Sequence, residues 1–235
     1  MALRSRFFLV AGFLVVAAVC TRLGVWQLHR LQARRAGNAV ALAARSAPTL
    51  QLTRRNLDST LLNRRVRVAG QYDHAHDILL RGREYRGVPG VEIVSPLRRE
   101  SGGAAVLVNR GFLPAPDAVT ADPLPVRETG VVIVEGIALA VDSGPGAPLR
   151  RREQTTWRRL DLRALRGALP YPIAPLYIRQ TPDSALPRLP RRLEPPALDD
   201  GPHRNYAIQW FAFAIIALVF AGVMLRQKRD SRLGP

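Results

Sequence analysis

Two apolar stretches bracket the chain, and between them the hydrophobic positions alternate rather than run together. The first is uninterrupted over residues 7–20 and reaches spanning length when Thr21, Arg22 and the residues to Trp26 are included. The second, residues 206–225, has Gln209 as its only strongly polar side chain. A hydrocarbon core of roughly 30 Å needs about 20 helical residues, so each predicts a transmembrane helix, with Arg22 snorkelling along its own stem. In the middle, Val66, Val68 and Gly70 alternate against Arg67 and Ala69, and residues 78–81 follow after a short polar turn, which predicts a hairpin. Residues 91–97 and 104–109 flank Ser101, Gly102 and Gly103 and predict a second hairpin. Residues 131–140 and 174–180 read as further strands. Leu160, Leu162, Leu165 and Leu169 predict a short helix that stops before Pro170, and the prolines from Pro182 to Pro202 predict an extended tether.

The expected architecture is an integral membrane protein in which two transmembrane helices, N- and C-terminal, flank one mostly-β (α+β) exported domain. Its parts are a cytoplasmic N-terminus at 1–6, a helix at 7–26, the domain at 27–181, a proline-rich tether at 182–202, a second helix with its outer end at 203–225, and a basic cytoplasmic tail at 226–235. A cleaved signal peptide shares the basic start and short apolar run of the N-terminus. No clean small-x-small site precedes the charged stretch, so a retained anchor is expected. Orientation follows from Arg226, Lys228, Arg229 and Arg232 after the second helix, which put the C-terminus in the cytoplasm. Arg22, Arg30, Arg34 and Arg35 argue the other way, but long loops translocate largely regardless of charge. The apolar run begins six residues from Met1, leaving no room for a transit peptide, and this predicts a bacterial plasma membrane protein, multi-pass, with its central domain on the outer face.

The net charge is +17 and arginine supplies nearly all of it, scattered rather than gathered on one periodic face. No helix-turn-helix, finger or aromatic-basic sheet motif accompanies it, so nucleic acid is excluded as the expected partner. Anionic lipid head groups, or an acidic ligand such as a propionate-bearing cofactor, match it better. The single cysteine, Cys20, lies in the first apolar segment, which removes disulfides and thiolate metal sites from the middle of the chain.

Candidate chemistry is sparse. His74 and His76, bracketed by Asp73 and Asp77, share an i, i+2 spacing but lack a committed third ligand. Asp183 and Ser184 lie in a chain without a Gly-x-Ser-x-Gly nucleophile elbow, and Gly82, Gly87 and Gly90 are not followed by the Lys-Ser or Lys-Thr of a phosphate loop. Asn109, Arg110 and Gly111 follow a strand and read as a hairpin-end turn or a docking surface. On the second helix His203, Tyr206, Ala207 and Trp210 share one face. Periodicity admits two readings there: an aromatic belt at head-group level with His203 as its solvated flank, or a neutral imidazole available to a metal. On the first helix Trp26 and Arg30 lie one turn apart, Gly24 permits close helix approach, and His29 is a candidate second ligand.

Residues 23–30, Leu-Gly-Val-Trp-Gln-Leu-His-Arg, resemble the opening signature of the surfeit locus protein 1 family of cytochrome oxidase assembly factors. Gly70, Tyr72, Leu79, Leu80, Arg81, Gly87, Pro89 and Gly90 resemble its central block, continued by Ser95, Pro96, Leu97 and by residues 106–114. His203, Tyr206, Ala207, Gln209 and Trp210 resemble its closing block. Phe112 departs from the family's usual tryptophan, Ser95 from its common threonine, and Gly201 and Pro202 from the asparagines often found before the histidine. The resemblance implies an assembly factor, not an enzyme, for a haem-copper terminal oxidase (cytochrome c oxidase), which binds haem a at the outer membrane surface and assists its insertion into the catalytic subunit. It implies His203 as ligand to the haem iron, Tyr206, Trp210 and Trp26 packing on the macrocycle, and Arg30 or Arg204 pairing with propionates. The oxidase catalytic subunit is the expected partner, with haem A synthase a second candidate. The rival expectation is a haem-free membrane scaffold that stabilises an oxidase assembly intermediate.

Overall fold

The computed structural model describes residues 2–53, 57–141, 146–151 and 154–230. Its elements run α1 (Ala2–Ser46), β1 (Leu50–Gln51), β2 (Arg65–Tyr72), β3 (Ile78–Tyr85), β4 (Val88–Arg99), β5 (Ala105–Pro114), β6 (Val131–Ala140), β7 (Leu149–Arg151), β8 (Gln154–Trp157), α2 (Leu162–Ala168), β9 (Ile173–Gln180) and α3 (His203–Asp230). They fall into two compact units, residues 1–40 with 198–235, and residues 41–197.

In the helical unit α1 and α3 are each long and apolar enough to cross a membrane. The first helix does not stop at Trp26. It continues to Ser46 through residues expected to open the β domain, because Ala, Leu, Arg and Gln dominate there and no proline intervenes before Pro48.

In the other unit one nine-stranded sheet has the order β1-β2-β6-β9-β5-β4-β3-β8-β7, and an extra β2–β4 pairing closes β2, β6, β9, β5 and β4 into a small barrel. The closure depends on β4. Its start pairs with β3, whereas Leu97 to Arg99 pair with Tyr72 to Gly70 of β2. Gly70 makes this approach possible, since a Cβ there would stand 2.5 Å from the Arg98 carbonyl oxygen. Inside the barrel, period-two positions Val66, Val68, Val106, Val108, Leu176 and Ile178 form the main core.

The expected β4–β5 hairpin forms, with Leu97 opposite Val106, as do the strands β6 and β9. The expected β2–β3 hairpin does not. Asp73 caps a 3-10 turn at His74–His76 by accepting from the Ala75 N–H, and β2 and β3 then pair with opposite ends of β4. Sequence adjacency misled here because one 12-residue strand serves two neighbours.

The proline-rich stretch is likewise no free tether. Phe112 and Arg191 exchange backbone hydrogen bonds at 2.8 Å. Arg192 is buried, donating to Gln180 Oε1 and to the carbonyls of Pro187 and Pro190. Gly111 permits this strap: its φ is +127° and a Cβ would stand 2.2 Å from the Arg191 oxygen.

Helix α2 covers a second apolar face through Leu165. Its N-cap, Asp161, accepts from the Ala164 N–H at 3.1 Å and also from Gly146 N–H, and these bonds hold its carboxyl below the usual carboxylate range. Asp161→Ala is expected to lower the unfolding midpoint by a few degrees, which differential scanning calorimetry of the full chain would register.

Candidate functional site

Buried positions on α1 recur at Ala17, Cys20, Gly24, Gln27 and Leu31, alternating steps of three and four that mark a left-handed, coiled-coil-like seam. The facing seam of α3 is almost all alanine, with Ala207, Ala214, Ala217 and Ala221 buried. Small residues let the backbones come close. Phe13 stacks on Phe220 at 5.6 Å, and a Cβ on Gly24 would stand 2.7 Å from the Phe211 ring. The two helices run antiparallel, so the middle of α1, around Gln27, meets the first turn of α3.

Gln27, the polar member of the α1 seam, meets His203 there. Its Oε1 lies 2.9 Å from His203 Nδ1. With an amide oxygen as acceptor, Nδ1 carries a ring proton, and in the neutral imidazole Nε2 is then the nitrogen with the lone pair. Among the described residues Nε2 has no hydrogen-bond partner.

The approach to His203 is also held by α1. Asn38 Nδ2 and Arg34 Nε donate to the Asp199 carbonyl at 2.8 and 3.1 Å, and Arg35 grips the Asp200 carboxylate with Nε at 2.8 Å and Nη2 at 2.7 Å. The guanidinium hydrogen bond holds the Asp200 carboxyl below its ordinary range. Gly201 then turns the chain at φ +66°, and the Tyr206 N–H reaches the Pro202 carbonyl to open the helix.

Of the residues expected at the site, Tyr206 and Trp210 follow His203 on one face of α3, Tyr206 half exposed and Trp210 edge-on to Phe213 at 6.0 Å. Arg30 lies over the half-exposed Trp26 ring at 5.7 Å. Arg204 is exposed and turned about 100° from His203 by the helical step. His29 sits about 200° around α1 from Gln27, on the side away from α3, so the pair contact does not include it. Sequence reasoning missed Gln27, Arg34, Arg35 and Asn38 as supports. The signal for Gln27 was present: it is the polar residue in an otherwise small or apolar three-four repeat.

A family model described as the SURF1 family matches residues 14–215, a span that holds both Gln27 and His203. The chain belongs to the SURF1 family. A protein of Monosiga brevicollis described as a SURF1-like protein is 29% identical over 238 residues, covering 95% of this chain and 89% of that one. The SURF1 family is an assembly-factor family, generally linked to cytochrome c oxidase assembly.

The remaining candidates in this SURF1-family chain have structural roles. His74 Nδ1 pairs with Asp77 at 3.1 Å while its Nε2 meets the Glu128 carbonyl, and His76 Nδ1 pairs with Asp73 at 2.9 Å. Both ring nitrogens of His74, and Nδ1 of His76, are thus engaged by local partners. Gly82 takes positive φ at the register shift within β3, and Gly87 does so in the β3–β4 turn. Asn109, Arg110 and Gly111 are not a hairpin-end turn but lie inside β5, with Asn109 and Arg110 buried. Arg110 is the extra residue of a bulge, between Asn109 opposite Val94 and Gly111 opposite Ile93. Its side chain stacks on Tyr72 at 4.8 Å and pairs with Glu128 at 2.8 Å.

Proposed function

We propose that this SURF1-family protein is an assembly factor for a haem-copper terminal oxidase that receives haem a on His203 at the outer surface of a bacterial plasma membrane and assists its delivery to the catalytic subunit. The observation that carries the reading is the His203–Gln27 pair: one ring nitrogen engaged, the other unpartnered among the described residues, on a helix end fixed by Arg34, Arg35 and Asn38. Ligating histidines are oriented by just such an acceptor on their second nitrogen, and an imidazole nitrogen is a standard haem donor. The donor set therefore fits haem iron.

Around it, Tyr206, Trp210 and Trp26 offer aromatic surface to a macrocycle, and Arg30 and Arg204 offer guanidinium forks to propionates. Bound haem a would supply the iron centre that the oxidase requires. This chain's own work is to orient one donor, exclude competing ring tautomers and keep the site on a membrane-embedded hairpin. A single protein donor suits a carrier, since it is readily exchanged for a ligand of the recipient. Arg226, Lys228, Arg229 and Arg232, which follow the apolar run of the second helix, support a cytoplasmic C-terminus, with the β unit exported.

Full-length protein purified in detergent from cells that make haem a is expected to carry haem a, identified by its visible spectrum and by extraction. A pigment-free protein that still restores full oxidase assembly would instead establish the haem-free scaffold. Gln27→Leu keeps the seam packed but removes the acceptor, and is expected to weaken haem affinity about 10–100-fold in a spectrophotometric titration.

A further inference from the structure

Beside the buried seam of α3 runs a second row, and it is aromatic. Tyr206, Phe213 and Phe220 stand seven residues apart, so they keep to one side of the helix with a drift of only about 20° per step. Each is half exposed, and every other exposed large apolar side chain described on α3 is isoleucine, leucine or valine. Between this row and the buried Ala207, Ala214 and Ala221 lie His203, Trp210 and Ala217, again seven apart. The imidazole of the haem site therefore heads a lane that has one aromatic border.

Trp210 meets Phe213 edge-on at 6.0 Å in the upper part of the lane, and Phe220 stacks on Phe13 of α1 at 5.6 Å at its lower end. At Ala217 the middle row is reduced to a buried methyl, so the exposed surface there is made of the Phe213 and Phe220 rings. From His203 to Phe220 the helical rise gives about 26 Å, within a hydrocarbon core of roughly 30 Å.

A porphyrin held on His203 sits at the lip of the apolar run, which begins at Tyr206. A long hydrocarbon substituent on that ring is driven away from water, and the hydrocarbon side of His203 is this lane. Inside the bilayer, contact is set by van der Waals fit rather than by the hydrophobic effect. An unsaturated, methyl-branched chain laid over aromatic faces gains such contact along its whole length.

We propose that the aromatic border of α3, from Tyr206 through Phe213 to Phe220, is a subsite for the isoprenoid tail of a prenylated haem whose iron is held by His203, an inference that rests on the haem reading of that residue. Phe213 then determines specificity, since it lies outside the ring contacts and inside the path of the tail.

One titration separates the two readings. Full-length apoprotein in detergent is titrated spectrophotometrically with haem o and with haem b, which differ only in that haem o bears an isoprenoid side chain where haem b has a vinyl group. Partition into micelles is common to all variants, so the ratio of the two affinities relative to wild type is the measurement. Phe213→Ala is expected to lower the haem o to haem b ratio by about three- to tenfold, with haem b binding unchanged. Phe213→Ile, which keeps apolar bulk without the ring, should lower it as well. Ile215→Ala, about 160° round the helix from Phe213, should leave it as in wild type. Helicity and elution volume equal to wild type identify the folded variants. An unchanged ratio in both Phe213 variants, with haem b still bound, would overturn the tail subsite and leave the haem reading standing. Wild-type protein that binds neither haem would overturn both.

Discussion

His203→Ala is expected to yield a protein that folds and enters the membrane fraction yet carries no haem a when purified from cells that make it. Alanine is the strongest helix former, and the α3 seam begins one turn later at Ala207, so the hairpin has no reason to come apart. What is lost is the nitrogen donor itself. The loss in affinity should exceed the roughly 10–100-fold expected when only the supporting acceptor is removed, placing Gln27→Leu between wild type and His203→Ala. His29→Ala is the matched control, because His29 lies on the far side of α1. Retained Soret absorbance and haem content in His203→Ala, with helicity unchanged by circular dichroism, would remove this residue from the proposal.

Glu128→Ala is expected to destabilise the β unit by about 3–5 kcal/mol, a drop on the order of 10 °C in its unfolding midpoint. Glu128 Oε1 accepts from Arg110 Nη2 and from Arg192 Nη2, each at 2.8 Å. The Arg110 side chain is fully buried and that of Arg192 nearly so. Arg110 continues the inward-facing row of Val106 and Val108 and so brings its charge into the end of the barrel. Arg192 arrives from the strap. Burial pulls the Arg192 guanidinium below its ordinary value, and the Glu128 charge works against that pull. Without Glu128 two desolvated cations would face each other with no counter-charge. Glu135→Ala breaks an exposed pair with Arg67 and should change stability by under about 1 kcal/mol. Urea unfolding of the full chain in detergent, followed by tryptophan fluorescence, compares the two. Equal midpoints for both variants would show that the buried triad contributes no more than a surface pair.

Much of this protein was legible in its residues. The apolar runs located both long helices, alternation located β2, β4, β5, β6 and β9, and Leu160 to Leu169 located α2, because each of these signals is local and periodic. His203 stood out by position and chemistry. Several short strands escaped: β1, β7 and β8 span two to four residues, too few to display a period. The His203–Gln27 contact joins residues 176 apart in sequence, and no local pattern reports such a distance, although the seam spacing hinted at it.

By itself, then, the sequence determined the two apolar helices, α2 and the longer strands, which faces are apolar, and which imidazole begins α3. Barrel closure through Gly70, the burial of Arg110 under Glu128 and Arg192, and the choice of Gln27 as acceptor were decided only in three dimensions. Hydrophobic periodicity is written along the chain, whereas hydrogen bonds and charge compensation between distant residues exist only once packing has brought them within about 3 Å and excluded the water that would otherwise satisfy them.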